Sequence, residues 1–248
     1  DEKVYVLEVN PRASRTVPFV SKAIGVNLAG IAARVMAGEL LEDIGFTREV
    51  IPTHFSVKAP VFPFSRFPGT DIMLGPEMKS TGEVMGIDEE LGCAVAKAYM
   101  GADRTLPLEG TVLLSVCDRD KDAVIPLAQA FHDLGFKIMA TRGTRAALKG
   151  ADIPSDLIFR RGEGRPNTTD VITNDQIQLV INTPSNDIET IEDEKAIRTA
   201  TYIRKIPMLT TVFGAQIIAT AISAMRERGL HVRSMQEFND VEAAAPPR

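Results

Sequence analysis

Glu8 and Asn10 stand two residues apart at the end of a short apolar run, Val4-Tyr5-Val6-Leu7. On an extended chain that spacing points both side chains to one face. A carboxylate and an amide oxygen are hard ligands, suited to Mg²⁺ or Mn²⁺. Pro11 turns the chain and Arg12 and Arg15 follow. Guanidinium groups beside a divalent ion suit a polyphosphate or an acyl phosphate. A strand end with surface charges reads the same way, and spacing alone leaves both readings open.

A second group of polar residues falls at the ends of successive apolar runs. Ser115 follows Thr111-Val112-Leu113-Leu114, and Lys121 opens the helical pattern beyond it. Thr141-Arg142-Gly143-Thr144 lies between the next strand and its helix. Two hydroxyls, a glycine that admits backbone amides and a helix N-terminus make an anion cradle. Arg160 and Arg161 follow the third strand, and Asn182-Thr183-Pro184-Ser185 follows the fourth. Each piece alone is also an ordinary turn or cap; together they point to a phosphate-bearing ligand.

The elements that must position these residues divide the chain in two. Val4–Leu7 reads as a buried strand, and Val17–Gly38 as a helix broken near Gly25-Val26-Asn27. Residues 41–105 are punctuated by Pro52, Pro60, Pro63, Pro68 and Pro76, with Phe55, Phe62, Phe64 and Phe67 between them. They read as loop-rich with short strands, Met78–Gly86 as turns, and Asp88–Met100 as a helix. A boundary is expected at Gly101–Glu109. Beyond it, strands (111–116, 136–140, 157–159, 177–181, 208–210) alternate with helices (121–134, 145–149, 169–174, 190–205, 212–228), which predicts a doubly wound parallel sheet in an α/β fold. Ligands of such sheets bind beyond the carboxyl ends of the strands. The Ala/Pro-rich tail 241–248 is expected to be disordered.

Composition narrows the function. The net charge of −5 argues against a nucleic-acid surface. No apolar run approaches the ~20 residues that span a bilayer, and no stretch has the pattern of a signal peptide. Cys93 and Cys117 make no disulfide framework, so a cytoplasmic location, or an organelle interior, is expected. His54, His132 and His231 are dispersed, which disfavours a His/Cys metal site. The chain opens on Asp1 at the edge of a strand, and a segment of a longer chain is expected.

The stretch EVNPRASRTVPFVSKAIGVNLAGIAARVMAGE resembles the end of the second ATP-grasp unit of the carbamoyl phosphate synthetase large subunit. The likeness continues through LGPEMKSTGEVMG and the whole second half, which is similar to that subunit's methylglyoxal-synthase-like allosteric domain. The resemblance implies residues 1–105 as the end of the ATP-grasp unit with a connector, 106–240 as the allosteric domain and 241–248 as a tail. It implies ATP-dependent synthesis of carbamoyl phosphate from bicarbonate and ammonia, for pyrimidine and arginine biosynthesis. The ammonia would come from glutamine on a glutaminase subunit or domain, in an oligomeric enzyme. Glu8 and Asn10 would hold Mg²⁺ or Mn²⁺ with ATP, and Arg12 and Arg15 would steady the transferred phosphate. The isolated chain, lacking the earlier elements, is expected to be inactive.

In the allosteric domain the resemblance implies that UMP or IMP is the effector, bound by Ser115, Lys121, Thr141, Thr144, Asn182 and Thr183. Arg160 stands where a lysine is common, and Pro184 where a hydroxyl residue is common. Some members also bind ornithine. Ala59, Met208 and Leu209 stand where its polar partners would be, so with Thr210 alone ornithine activation is expected to be weak or absent. Two other readings remain: a stand-alone regulatory module, and a methylglyoxal-synthase-like lyase with Asp118 or Asp170 as base.

Overall fold

The computed structural model describes residues 4–62, 82–185 and 188–243. The expectations for Pro63, Phe64, Phe67, Pro68, Pro76 and Met78–Thr81 lie outside these. Packing divides the chain into two compact units, one from both chain ends (residues 1–54 and 232–248) and one from Phe55–His231.

In the first unit, helices α1 (Thr16–Ala23), α2 (Leu28–Met36), α3 (Leu41–Ile44) and α10 (Met235–Ala243) form around the expected break. Gly25 makes that break at φ +67°, with the Asn239 side chain against it. Asn27 then caps α2, its side chain accepting from Gly30 N at 3.0 Å. His54 is buried and donates through Nε2 to Ala23 O at 2.9 Å. Its ring lies 5.5 Å from that of Phe238 on α10. Asn239 Nδ2 donates to Lys22 O at 3.2 Å, fixing α10 to α1.

The expected strand Val4–Leu7 is corrected here. The run is irregular and not strand-paired, and Leu7 is 94% exposed. A strand needs a neighbour for its backbone groups, and no strand among the described residues pairs with it. The tail also differs: Val241–Ala243 close α10, where disorder was expected from residue 241.

The second unit holds a hairpin, β1 (Phe55–Val61) and β2 (Gly82–Asp88), paired from Phe55↔Asp88 to Val61↔Gly82. The turn-rich reading of residues 82–86 is therefore replaced by a strand. Gly86 is there for contact rather than for a turn, because helix α4 (Leu91–Gly101) lies against it. Val95 and Ala96 of α4, with Leu106, join the core of the following sheet. The expected boundary at Gly101–Glu109 thus falls inside one compact unit, since the buried face of α4 has its partners beyond that boundary.

Five parallel strands follow: β3 (Thr111–Ser115), β4 (Lys137–Thr141), β5 (Asp156–Ile158), β6 (Leu179–Asn182) and β7 (Met208–Leu209). Their order is β5-β4-β3-β6-β7. Helices α5 (Lys121–Asp133), α6 (Arg142–Gly150) and α9 (Val212–Arg228) share a core with Val112 and Leu114. Helices α7 (Thr168–Thr173) and α8 (Ile188–Ile203) share another with Leu113 and Val180. Successive residues of β3 thus serve opposite faces, and both faces are covered. The chain leaves β3 toward β4 on one side and later returns to β6 on the other, so the carboxyl ends of β3 and β6 form the topological switch point.

Helix α7 is fixed by a capping box: Asn167 accepts from Asp170 N and Asp170 accepts from Asn167 N, each at 3.0 Å. Asn167→Ala is expected to lower stability by about 1 kcal/mol, read as a lower urea midpoint with an unchanged slope.

Candidate ligand cleft at the strand ends

Ser115 and Asn182 are register partners at the switch point. Asn182 Nδ2 donates to Ser115 O at 3.1 Å. Its other polar atom, Oδ1, is buried with no partner, although the residue is only 2% exposed. An acceptor left this way costs about 1–3 kcal/mol, which a ligand donor would recover. Arg160, Cys117 and Thr183 line the same cleft, a narrow one of about 10 Å³ that opens to solvent. Thr183 Oγ1 accepts from Cys117 N at 2.9 Å and ties the two strand-end loops together.

Thr141 and Thr144 lie behind the cleft. Both are buried, their hydroxyls 3.3 Å apart. Thr141 Oγ1 donates to Ser115 Oγ at 3.5 Å, and Thr144 Oγ1 accepts from Val116 N at 3.2 Å. Their part in this structure is to brace the backbone of the cradle. Helix α6 begins earlier than expected, at Arg142, because Thr141 is still extended (φ −65°, ψ 157°) and serves as N-cap residue. Gly143 and Thr144 are thereby in the first turn, whose amides favour an anion.

Lys121 opens α5 and pairs with Asp118 at 2.5 Å. Its hydrogen bond and charge hold the Asp118 carboxyl below its usual range. A Cβ on Gly143 would sit 2.9 Å from Lys121 Nζ, so the ammonium lies over the start of α6. Ser115, Lys121, Thr141, Thr144, Arg160, Asn182 and Thr183 are therefore gathered at the ends of β3, β4, β5 and β6.

Sequence reasoning missed Cys117, Asp193 and Glu194 as cleft residues. Asp193 and Glu194 of α8 are nearly buried and line the cleft opposite Ser115. Asp193 accepts from Arg161 N at 3.1 Å, and Glu194 from Ser185 N at 2.7 Å. The run Glu192-Asp193-Glu194 is the local signal, but it reads equally well as a solvated helix face.

The other constellation lies in the first unit. Glu8 and Asn10 are joined by a hydrogen bond, Asn10 Nδ2 donating to Glu8 Oε1 at 3.1 Å. Arg12 and Arg15 follow on the exposed turn before α1. Among the described residues no group of three or more His, Cys, Asp or Glu could hold a metal ion. Two hard oxygens fit an ion that takes its remaining ligands from phosphates and water, as Mg²⁺ commonly does.

Residues 123–210 match the family model for the MGS-like domain, and residues 1–44 that for the ATP-binding domain of the carbamoyl-phosphate synthase L chain. The carbamoyl phosphate synthase large chain of a Nostoc species is 53% identical over 95% of this chain and 21% of its own length. That of Gemmatimonas aurantiaca is 50% identical over 97% of this chain and 22% of its own. The chain thus spans about a fifth of the curated relatives it matches. A methylglyoxal synthase from Elizabethkingia anophelis aligns with a TM-score of 0.39 at 21% identity, over 47% of this chain and 80% of that one.

Proposed function

We propose that this chain, which belongs with the C-terminal part of carbamoyl phosphate synthase large chains, joins the end of a phosphate-transfer site to a nucleotide-binding regulatory domain. In the whole protein the reaction is ATP-dependent formation of carbamoyl phosphate from bicarbonate and ammonia. A glutaminase partner delivers the ammonia, and the product feeds pyrimidine and arginine synthesis. The location is cytoplasmic. Residues 1–105 serve the ATP-grasp unit and its connector, and residues from 106 onward carry regulation.

The buried, unpartnered Oδ1 of Asn182, a residue that lines the cleft at the switch point, is the observation that carries the regulatory reading. The occupant is a nucleoside monophosphate, UMP or IMP. Lys121, Arg160 and the first amides of α6 neutralise its phosphate. Asn182 Oδ1 takes a hydrogen from its sugar or base. Isothermal titration of the chain with each nucleotide tests this: saturable binding of one supports it, and binding of neither refutes it. Ornithine adds no heat, because Ala59, Met208 and Leu209 offer its ammonium groups no side-chain partner.

At the other site, a divalent ion between Glu8, Asn10 and the ATP phosphates supplies charge neutralisation. Arg12 and Arg15 hold the transferred phosphoryl group in place. Phosphoryl transfer depends on such positioning more than on acid–base groups. Glu8→Ala in the full-length subunit should lower carbamoyl phosphate formation at least about tenfold. Unchanged turnover would remove Glu8 from the metal site.

The lyase reading is disfavoured by the placement of its candidate bases. The Asp170 carboxylate is engaged in the cap of α7, and Asp118 is 94% exposed and paired with Lys121.

A further inference from the structure

We infer that Cys117 is a thiol-exchange site of the cleft: a small disulfide that modifies it closes the cleft to ligand, and a bound ligand shields it. The two cysteines of the chain differ sharply. Cys93 is 3% exposed within α4, its thiol directed at Gly229 O, 3.8 Å away. Cys117 is half-buried and lines the cleft beside Ser115, Asn182 and Arg160. That a ligand belongs in this space rests on a separate observation, the unpartnered Asn182 Oδ1. Thr183 touches both ends of Cys117, at the backbone N–H (2.9 Å) and at the sulfur (3.4 Å). An adduct on the sulfur therefore both fills the cleft and displaces the residue next to Asn182.

The chemistry is disulfide exchange. The Cys117 sulfur attacks one sulfur of a disulfide RSSR, a new S–S bond forms and the old one breaks, and RS⁻ leaves with the electron pair. The thiol proton, held toward Asp120 Oδ2 at 3.1 Å, passes through solvent to the departing thiolate. Cys117 is oxidised, half of the disulfide is reduced, and no other oxidant is needed. Asp120 slows the step, because its carboxylate accepts the thiol hydrogen and that contact must open before the sulfur attacks. Burial works to raise the Asp120 carboxyl, but hydrogen bonds from Cys117 and Thr183, with the charge of Arg119, lower it on balance.

The inference rests on the nucleotide reading only for the identity of the shielding ligand. The test treats the full chain with hydroxyethyl disulfide, with and without UMP or IMP, and maps adducts by mass spectrometry. The expected adduct is on Cys117 and not on Cys93. Whichever nucleotide binds should slow its formation, and the modified chain should no longer bind that nucleotide. Asp120→Asn should speed exchange by about fivefold, and Cys117→Ser should take no adduct. Exchange at Cys93 alone, or a Cys117 adduct that leaves nucleotide affinity unchanged, would overturn the inference. Binding of neither nucleotide to the unmodified chain would defeat the ligand reading and the mutual exclusion together, while mapping would still decide whether Cys117 is the exchanging thiol.

Discussion

If the cleft holds the proposed nucleoside monophosphate, Lys121→Ala should weaken its binding by between about tenfold and a hundredfold in a calorimetric titration, because one hydrogen bond to a charged group is worth about 1.5–3 kcal/mol. The ammonium lies over the first turn of α6, where the amides already favour an anion. Removing it has a second effect: Asp118, paired with Lys121 at 2.5 Å, is left as an uncompensated carboxylate close to the phosphate. Lys121→Arg keeps the charge and should bind within a few-fold of the native chain. Raising the salt concentration should weaken the native chain more than the alanine variant, since less of the variant's affinity is electrostatic. If Lys121→Ala bound as tightly as the native chain, the phosphate would have to lie elsewhere, with Arg160 as the next candidate.

Gly86→Ala destabilises the second unit by at least about 3 kcal/mol, at or beyond the upper end of ordinary overpacking. The cause is the neighbour. A Cβ at Gly86 would press into the Ala94 carbonyl oxygen and come within 2.5 Å of Ala98 N, both backbone atoms of α4. A flexible side chain could swing aside; a helix backbone moves only with its whole packed face. That face includes Val95 and Ala96, which belong to the core of the sheet, so the disturbance reaches β3 and α9. Urea unfolding followed by far-ultraviolet circular dichroism reads the change. Gly150→Ala, at the end of α6 with open space around it, is the control and should raise stability by about 0.4–1 kcal/mol. Equal effects at the two positions would show that the close approach at Gly86 is unimportant.

Strands β3 and β6 are legible in the sequence because burial on both faces writes a continuous apolar run. The same kind of run at Val4–Leu7 misleads, since apolar residues announce a need for cover without saying which strand provides it. Hairpin strand β2 was hidden for the opposite reason. Gly82 and Gly86 imitate turn residues, yet Gly86 answers to a helix that follows it in the chain. At the cleft, Ser115, Arg160, Asn182 and Thr183 follow from strand-end position. The resemblance to a known family supplied the nucleotide but not the roles of individual atoms. Cys117, Asp193 and Glu194 were not legible as cleft residues, because what brings them there is the meeting of loops far apart in sequence.

The contact of His54 with Phe238 has a consequence for the order in which the protein is made. Residues 4–54 leave the ribosome before α10, with residues 55–231 between them. Domains usually fold as units while the chain emerges, and the second unit is able to do so. The first unit is not: the groove that takes Phe238 and Asn239 stays open until α10 has emerged. A nascent chain stalled shortly after Gly229 would carry a finished sheet and an unclosed segment over residues 4–54, and that segment would be cut by a protease before the sheet.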